Sequence, residues 1–171
     1  PAPRAATPEL FSAQGYVEGN GPLAATLPAV MDAMALALQH YGTMRLAEVM
    51  APAIEYADGF PMYGFLRTLM LAHRQATERW EWSKRTYYPD AEVCQVGEIF
   101  RQPNLAATLR AIVAAEQTAT ARGDDRDQAI RAGRDAFYKG DIAQRIAAAN
   151  RAAGGVLCYE DLAQFQGQLE N

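Results

Sequence analysis

Four side chains in this 171-residue sequence carry the imidazole or thiol groups that metal sites and nucleophile–base pairs favour: His40, His73, Cys94 and Cys158. A zinc site needs about four such donors at clustered spacing, and here they are scattered. Two distant cysteines give no disulfide framework to read. No serine or cysteine stands at a spacing from either histidine that suggests general-base activation. His40 falls near a helix end, where the dipole stabilises a cation, and His73 lies beside Arg74. Asp124, Asp125 and Asp127 resemble the start of a calcium loop, but the sharp-turn glycine and the closing glutamate are missing. They read instead as a cap and favourable charges at the positive end of a helix. Gly19-Asn20-Gly21 lacks the lysine and flanking strand of a phosphate cradle and reads as a turn. Trp80, Trp82, Tyr87 and Tyr88 could stack on sugars or bases, yet at a helix end such rings more often close a core or an interface. Arg101 and Arg134 read as charges with no visible acidic partner. No catalytic, substrate-binding or metal-ligating residue is assigned, and no cofactor is implied.

Two stretches are nevertheless tightly specified: DAFYKGDIA from Asp135 to Ala143, and GGVLCYEDLAQF from Gly154 to Phe165. Neither holds a nucleophile beside a base. They read as scaffold. Phe137 and Tyr138 anchor a helix junction in the core, Gly140-Asp141 turns the chain, and Asp141 caps the next helix. Gly154-Gly155 then stops it.

The elements around these stretches follow a helical period. Val30, Met34, Ala37, Leu38 and Tyr41 share one face of a helix starting at Pro28, with Gly42 as its left-handed stop. Leu46, Val49, Met50, Ala53, Ile54 and Ala57 repeat the pattern up to Gly59, and Pro52 inside it predicts a kink or two short helices. A third helix is expected from about Met62 to Trp80, with Phe65, Leu69, Ala72, Ala76 and Trp80 inward. Residues 81–102 read as irregular, with a short strand at Glu92–Val96. Helix returns at Asn104, which would cap it behind Pro103, and Leu105, Leu109, Ile112 and Val113 form its stripe. ARGDDRDQ breaks the pattern before a helix that runs to about Phe137. The fold class is mainly α.

Half of the residues are hydrophobic and 21% are charged, which is ordinary for a globular domain. A net charge of -4 and a pI near 5.2 argue against a nucleic-acid surface. No apolar run approaches the roughly 18 residues of a membrane span. PAPRAATPEL lacks signal-peptide character, and the absence of an initiator methionine leads us to expect further residues before Pro1.

Three stretches then carry a resemblance: LPAVMDAMALALQHYGTMRLAEVMAPAIEYADGFP, VGEIFRQPNLAATLRAI and DAFYKGDIAQRIAAANRAAGGVLCYEDLAQFQ. In this order and spacing the chain resembles the large-subunit region of the γ-glutamyltransferase (γ-glutamyltranspeptidase) family. The resemblance implies a helical segment, residues 1–171, of a larger αββα N-terminal-nucleophile hydrolase fold. It also implies transfer or hydrolysis of γ-glutamyl groups in the parent, as in glutathione-like substrates. The family's threonine nucleophile would lie downstream of Asn171, and its carboxylate-gripping arginine just upstream of Pro1. The partner implied is the remainder of the same polypeptide, including the small subunit. The compartment suggested is periplasmic or secreted, although the family has cytoplasmic members too. Residues 115–134 are longer than the family's usual link and are expected to be an insertion. Cys158 stands where the family has threonine or serine at a helix start, and Pro28-Ala29 where it has proline-glycine. The alternatives are a related glutaryl-type (cephalosporin) acylase and a non-catalytic helical interaction module. Taken alone, the chain is expected to be inert and to self-associate through uncovered apolar stripes.

Overall fold

A computed structural model describes residues 1–14 and 19–169. The helices are α1 (Pro8–Gln14), α2 (Val30–Tyr41), α3 (Leu46–Asp58), α4 (Gly64–Thr77), α5 (Glu81–Tyr87), α6 (Pro103–Arg122), α7 (Arg126–Tyr138), α8 (Asp141–Ala152) and α9 (Tyr159–Ala163). Two short strands, β1 (Phe60–Pro61) and β2 (Ile99–Phe100), and two 3-10 turns, Pro22–Ala24 and Pro89–Ala91, complete the set among the described residues. The chain divides into two compact units, Pro1–Val49 with Ala111–Asn171, and Met50–Arg110. Among the described residues no helix is long and apolar enough to cross a membrane.

In the first unit, α7 packs on α2, α8 and α9. Its core joins Leu27, Tyr138, Ala143, Leu157 and Leu162, with Met31, Phe137, Ile146, Tyr159 and Phe165 against them. Asp125 starts α7 with a reciprocal cap: its carboxylate accepts from the Gln128 N–H at 2.8 Å, while the Gln128 side chain accepts from the Asp125 N–H at 3.0 Å. The next residue, Arg126, donates to the carbonyls of Leu38 (2.6 Å), Gly42 (2.9 Å) and Met44 (3.1 Å). A cation thus sits at the negative end of α2, on the Leu38 carbonyl of its last turn and the Gly42 carbonyl just beyond.

The second unit is organised by an antiparallel pairing of Phe60 with Phe100 and Pro61 with Ile99. The Met62 N–H donates to Glu98 O at 2.8 Å and the Gly97 N–H to Met62 O at 2.9 Å, extending the ladder. Met62, Met70, Tyr88, Val93 and Phe100 form its core. Tyr88 buries its ring and donates its hydroxyl to Met70 O at 3.1 Å, so the polar end is satisfied inside.

Several expectations change. The apolar stripes of α2 and α4 face outward: Val30 is 70% exposed, Met34 63%, Tyr41 80% and Phe65 69%. The buried positions on these helices are Asp32, Ala35 and Met70 instead. Periodicity identifies an apolar face but says nothing about which chain covers it. Only Ile112 of the α6 stripe is buried, beside Ala106, Glu116 and Ala119, and Leu105 is exposed. Pro52 lies within one continuous α3, and residues 81–87 are helical rather than irregular. The strand sits at Ile99–Phe100, not Glu92–Val96, because the ladder needs Phe60 as its partner. Pro103 itself opens α6, so Asn104 is not the cap. Gly140 precedes α8 and makes no side-chain cap, leaving Asp141 in its first turn. Gly42 is extended (φ -98°) rather than left-handed, and glycine is needed there because a Cβ would meet Leu38 O at 2.9 Å. Phe137 is half-buried, whereas Tyr138 is fully enclosed. Tyr138 is therefore the anchor of the pair.

Candidate functional site

Two buried charges meet in the first unit. Asp32 lies in the first turn of α2 and is 3% exposed; Arg134, on α7, is 6% exposed. The Arg134 guanidinium donates through Nε to Asp32 Oδ1 and through Nη2 to Phe165 O, and its Nη1 reaches Asp135 Oδ1 at 2.7 Å. Asp32 Oδ2 accepts the Gly167 N–H at 2.6 Å. Arg134 and Tyr138 are four residues apart on one helix face, which places the guanidinium 4.7 Å over the phenol ring.

Tyr138 completes the cluster. Its hydroxyl accepts the Asp32 N–H at 3.2 Å and donates to Pro28 O. The N-cap of α2 is Ala29, which has no side chain to offer. A phenol from α7 therefore satisfies the third amide of α2, a service normally done by a serine or aspartate. Burial lowers the affinity of Arg134 for its proton, but the hydrogen bonds to Asp32 and Asp135 outweigh it and hold the pKa above its ordinary value. Burial likewise pushes the Asp135 carboxyl up, and the hydrogen bonds from Lys139 and Arg134 overcome this and hold it low. The sequence reading of Arg134 as an unpaired charge is thus overturned. Its partner lies 102 positions away. The available cue was Asp32 itself, an acid interrupting the apolar run VMDAMALAL.

A pocket of about 330 Å³ opens beside this cluster, with His40, Gln39, Arg131 and Gln166 on its wall. Every nitrogen of Arg134 already has a protein acceptor, so the pair holds α2, α7 and the 165–167 segment together. In the second unit a recess of about 590 Å³ has Arg74 spent in the same way. It pairs with Glu78 at 2.8 Å and donates to Ala91 O at 2.9 Å.

The residues that could do chemistry stay apart or are occupied. His40 and His73 are exposed, and among the described residues no three His, Cys, Asp or Glu side chains gather as metal ligands. Burial raises the pKa of both thiols, Cys94 and Cys158, which disfavours the reactive thiolate. Several threonine hydroxyls donate to the carbonyl one turn back: Thr68 to Gly64 O (2.9 Å), Thr108 to Asn104 O (2.9 Å) and Thr118 to Ala114 O (2.8 Å). Trp80 and Trp82 stack at 5.2 Å with Arg79 over Trp80, and Trp82 is 49% exposed, so this pair does not close a core. Arg101 is exposed, and the Asp124–Asp127 run does cap α7.

Cys158 occupies the N-cap of α9, as the sequence suggested, but Asp161 does the capping. One carboxylate oxygen accepts the Cys158 N–H at 3.0 Å and its thiol at 3.2 Å. Threonine would supply a better acceptor for the free amides and retain the donor to Asp161. Cys158→Thr is expected to gain ~0.5–1 kcal/mol in chemical denaturation, and an unchanged midpoint would contradict it.

Comparison with known proteins gives a consistent result. A family model described as gamma-glutamyltranspeptidase matches residues 1–171. The chain is 32% identical over 172 residues to the glutathione hydrolase proenzyme of Escherichia coli (strain K12), covering 96% of this chain and 27% of that protein. Among solved structures it is similar to the gamma-glutamyltranspeptidase of Helicobacter pylori, with a TM-score of 0.81 and 27% identity over 96% of this chain and 44% of that one. It is also similar to a cephalosporin acylase from Bacillus halodurans, with a TM-score of 0.75 and 30% identity over 97% of this chain and 30% of the acylase. The chain spans roughly a quarter of the length of the curated relatives it matches.

Proposed function

The chain belongs to the γ-glutamyltranspeptidase family, and from that premise we propose that it is the helical scaffold of a parent enzyme that transfers or hydrolyses γ-glutamyl groups. The observation that carries this reading is the family match along all 171 residues, set against a helical segment whose buried charges Asp32, Glu116, Arg134 and Asp161 are each committed to structure. In the parent, a threonine outside the chain attacks the γ-glutamyl carbonyl. Its own α-amine takes the hydroxyl proton, and preorganised donors hold the oxyanion. The resulting acyl-enzyme passes its acyl group to an amino acid, a peptide or water. An arginine just upstream of Pro1 grips the α-carboxylate of the substrate.

The outward stripe Val30, Met34, Ala37 and Tyr41 on α2 supports the partner reading. Such faces suit coverage by the remainder of the polypeptide, including its small subunit. The excised 171-residue chain is therefore expected to self-associate in light scattering; a monodisperse monomer would refute that. It is also expected to turn over no γ-glutamyl amide alone. Assaying the full-length parent with γ-glutamyl and glutaryl amides side by side tests the reaction. Likeness to the Bacillus halodurans acylase favours the glutaryl reading as second choice, and faster glutaryl turnover would make it first.

A further inference from the structure

Residues Pro1–Arg4 belong to no helix or strand, yet they are fixed at several points. Pro1 O accepts the Leu27 N–H at 3.0 Å, Pro3 is buried, and the Arg4 guanidinium donates to Gln164 Oε1. The Arg4 backbone N–H donates to Asp161 Oδ1 at 3.2 Å. Asp161 is 4% exposed and is the third residue of α9. Capping α9 uses only its other oxygen, Oδ2. The remaining oxygen is aimed at an amide 157 positions away, which a helix cap does not require. Burial pushes the Asp161 carboxyl up, but the N–H donors of Cys158 and Arg4 prevail and keep it ionised below the usual range.

The element that carries Asp161 is itself held firmly. Leu162 is fully buried, and Tyr159 donates its hydroxyl to Lys139 O at 2.8 Å. Pro1 and Pro3 restrict the backbone torsions of the entering segment. The path from α9 to the residue ahead of Pro1 is four links of about 3.8 Å each, with the Leu27 anchor at its far end. Little slack remains.

We infer that Asp161 is a positioning residue, which fixes the backbone entering at Pro1 and through it the group that grips the substrate's α-carboxylate. This rests on the proposed function, which puts that group immediately upstream. A misplacement of about 1 Å at a binding group can cost 10²-fold, so a buried carboxylate that holds Arg4, four residues along the chain, matters to the reaction without touching substrate.

The test uses the full-length parent carrying Asp161→Asn, with Glu116→Gln as a control that weakens the start of α3 without touching α9 or Arg4. Asp161→Asn should raise KM for a γ-glutamyl amide about tenfold or more and leave kcat within about threefold. KM for the matching glutaryl amide, which lacks the α-amino group but not the chain length, and for a γ-aminobutyryl amide, which lacks the α-carboxylate, separates the two ends. Only substrates bearing the α-carboxylate should show the KM rise. Amide hydrogen exchange at Arg4 should speed up in Asp161→Asn and not in Glu116→Gln. Unchanged exchange at Arg4, or an equal KM rise in the control, overturns the positioning role. A wild-type parent that turns over no γ-glutamyl amide, with Arg4 still protected by Asp161, marks failure of the proposed function instead.

Discussion

Arg134→Met is expected to destabilise the protein by about 3–5 kcal/mol, because it leaves the Asp32 carboxylate buried without its counter-charge. The cation also serves Phe165 O and Asp135, so its loss frees two further acceptors. Hydrophobic replacement of the volume recovers some packing but none of these bonds. Relief comes from the pocket beside the pair, through which water can reach Asp32. That puts the expected loss toward the lower end of the range. The pair itself is a different matter from either member. Removing both charges at once, in Arg134→Met with Asp32→Leu, should restore much of the stability, since desolvating two ions offsets most of their mutual attraction. Urea denaturation of the two single variants and the double variant closes the cycle and isolates the coupling. A single-variant loss below about 1 kcal/mol, or a double variant worse than the sum of the singles, would show that the pair does not hold α2 to α7.

What the sequence disclosed was local. The Asp125 cap with Gln128 three residues on, the stop at Gly154 (φ 87°) and the existence of most helices all depend on neighbours a few positions apart. What it concealed depended on distant partners. Arg134 found Asp32, and Tyr138 capped a helix whose own N-cap is alanine, across separations beyond 100 residues. The inward faces of α2 and α4 were misread for another reason. Their stripes have the right period, but the apolar face is the uncovered one, and no pattern within a helix reports what lies across from it. α5 was missed because EWSKRTY is too short and too polar to show a period over its seven residues. Arg134 read as idle because its partner, Asp32, lies 102 positions away.

The second large effect concerns Glu116, which is 1% exposed in the middle of α6. Its Oε1 accepts the Leu46 N–H at 2.7 Å and its Oε2 the Ala47 N–H at 2.8 Å. These are the first two residues of α3, whose amides have no partner within their own helix. A negative charge there also opposes the positive end of the helix. Nearby, Glu48 accepts the Arg45 N–H at 2.8 Å, and Arg45 in turn donates to Thr120 at 2.9 Å, one turn beyond Glu116. Glu116→Ala strips two donors, one of them on a residue only 2% exposed, and leaves a hole under α3. Unsatisfied buried donors cost about 1–3 kcal/mol each, so a loss of about 3 kcal/mol is expected. Removing a buried charge returns part of its desolvation cost, which keeps the figure from doubling. Glu116→Gln retains one acceptor and should lose about half as much. Chemical denaturation gives the totals, and amide exchange at Leu46 and Ala47 locates them. If those two amides stay protected in Glu116→Ala, α3 is capped by something other than this carboxylate.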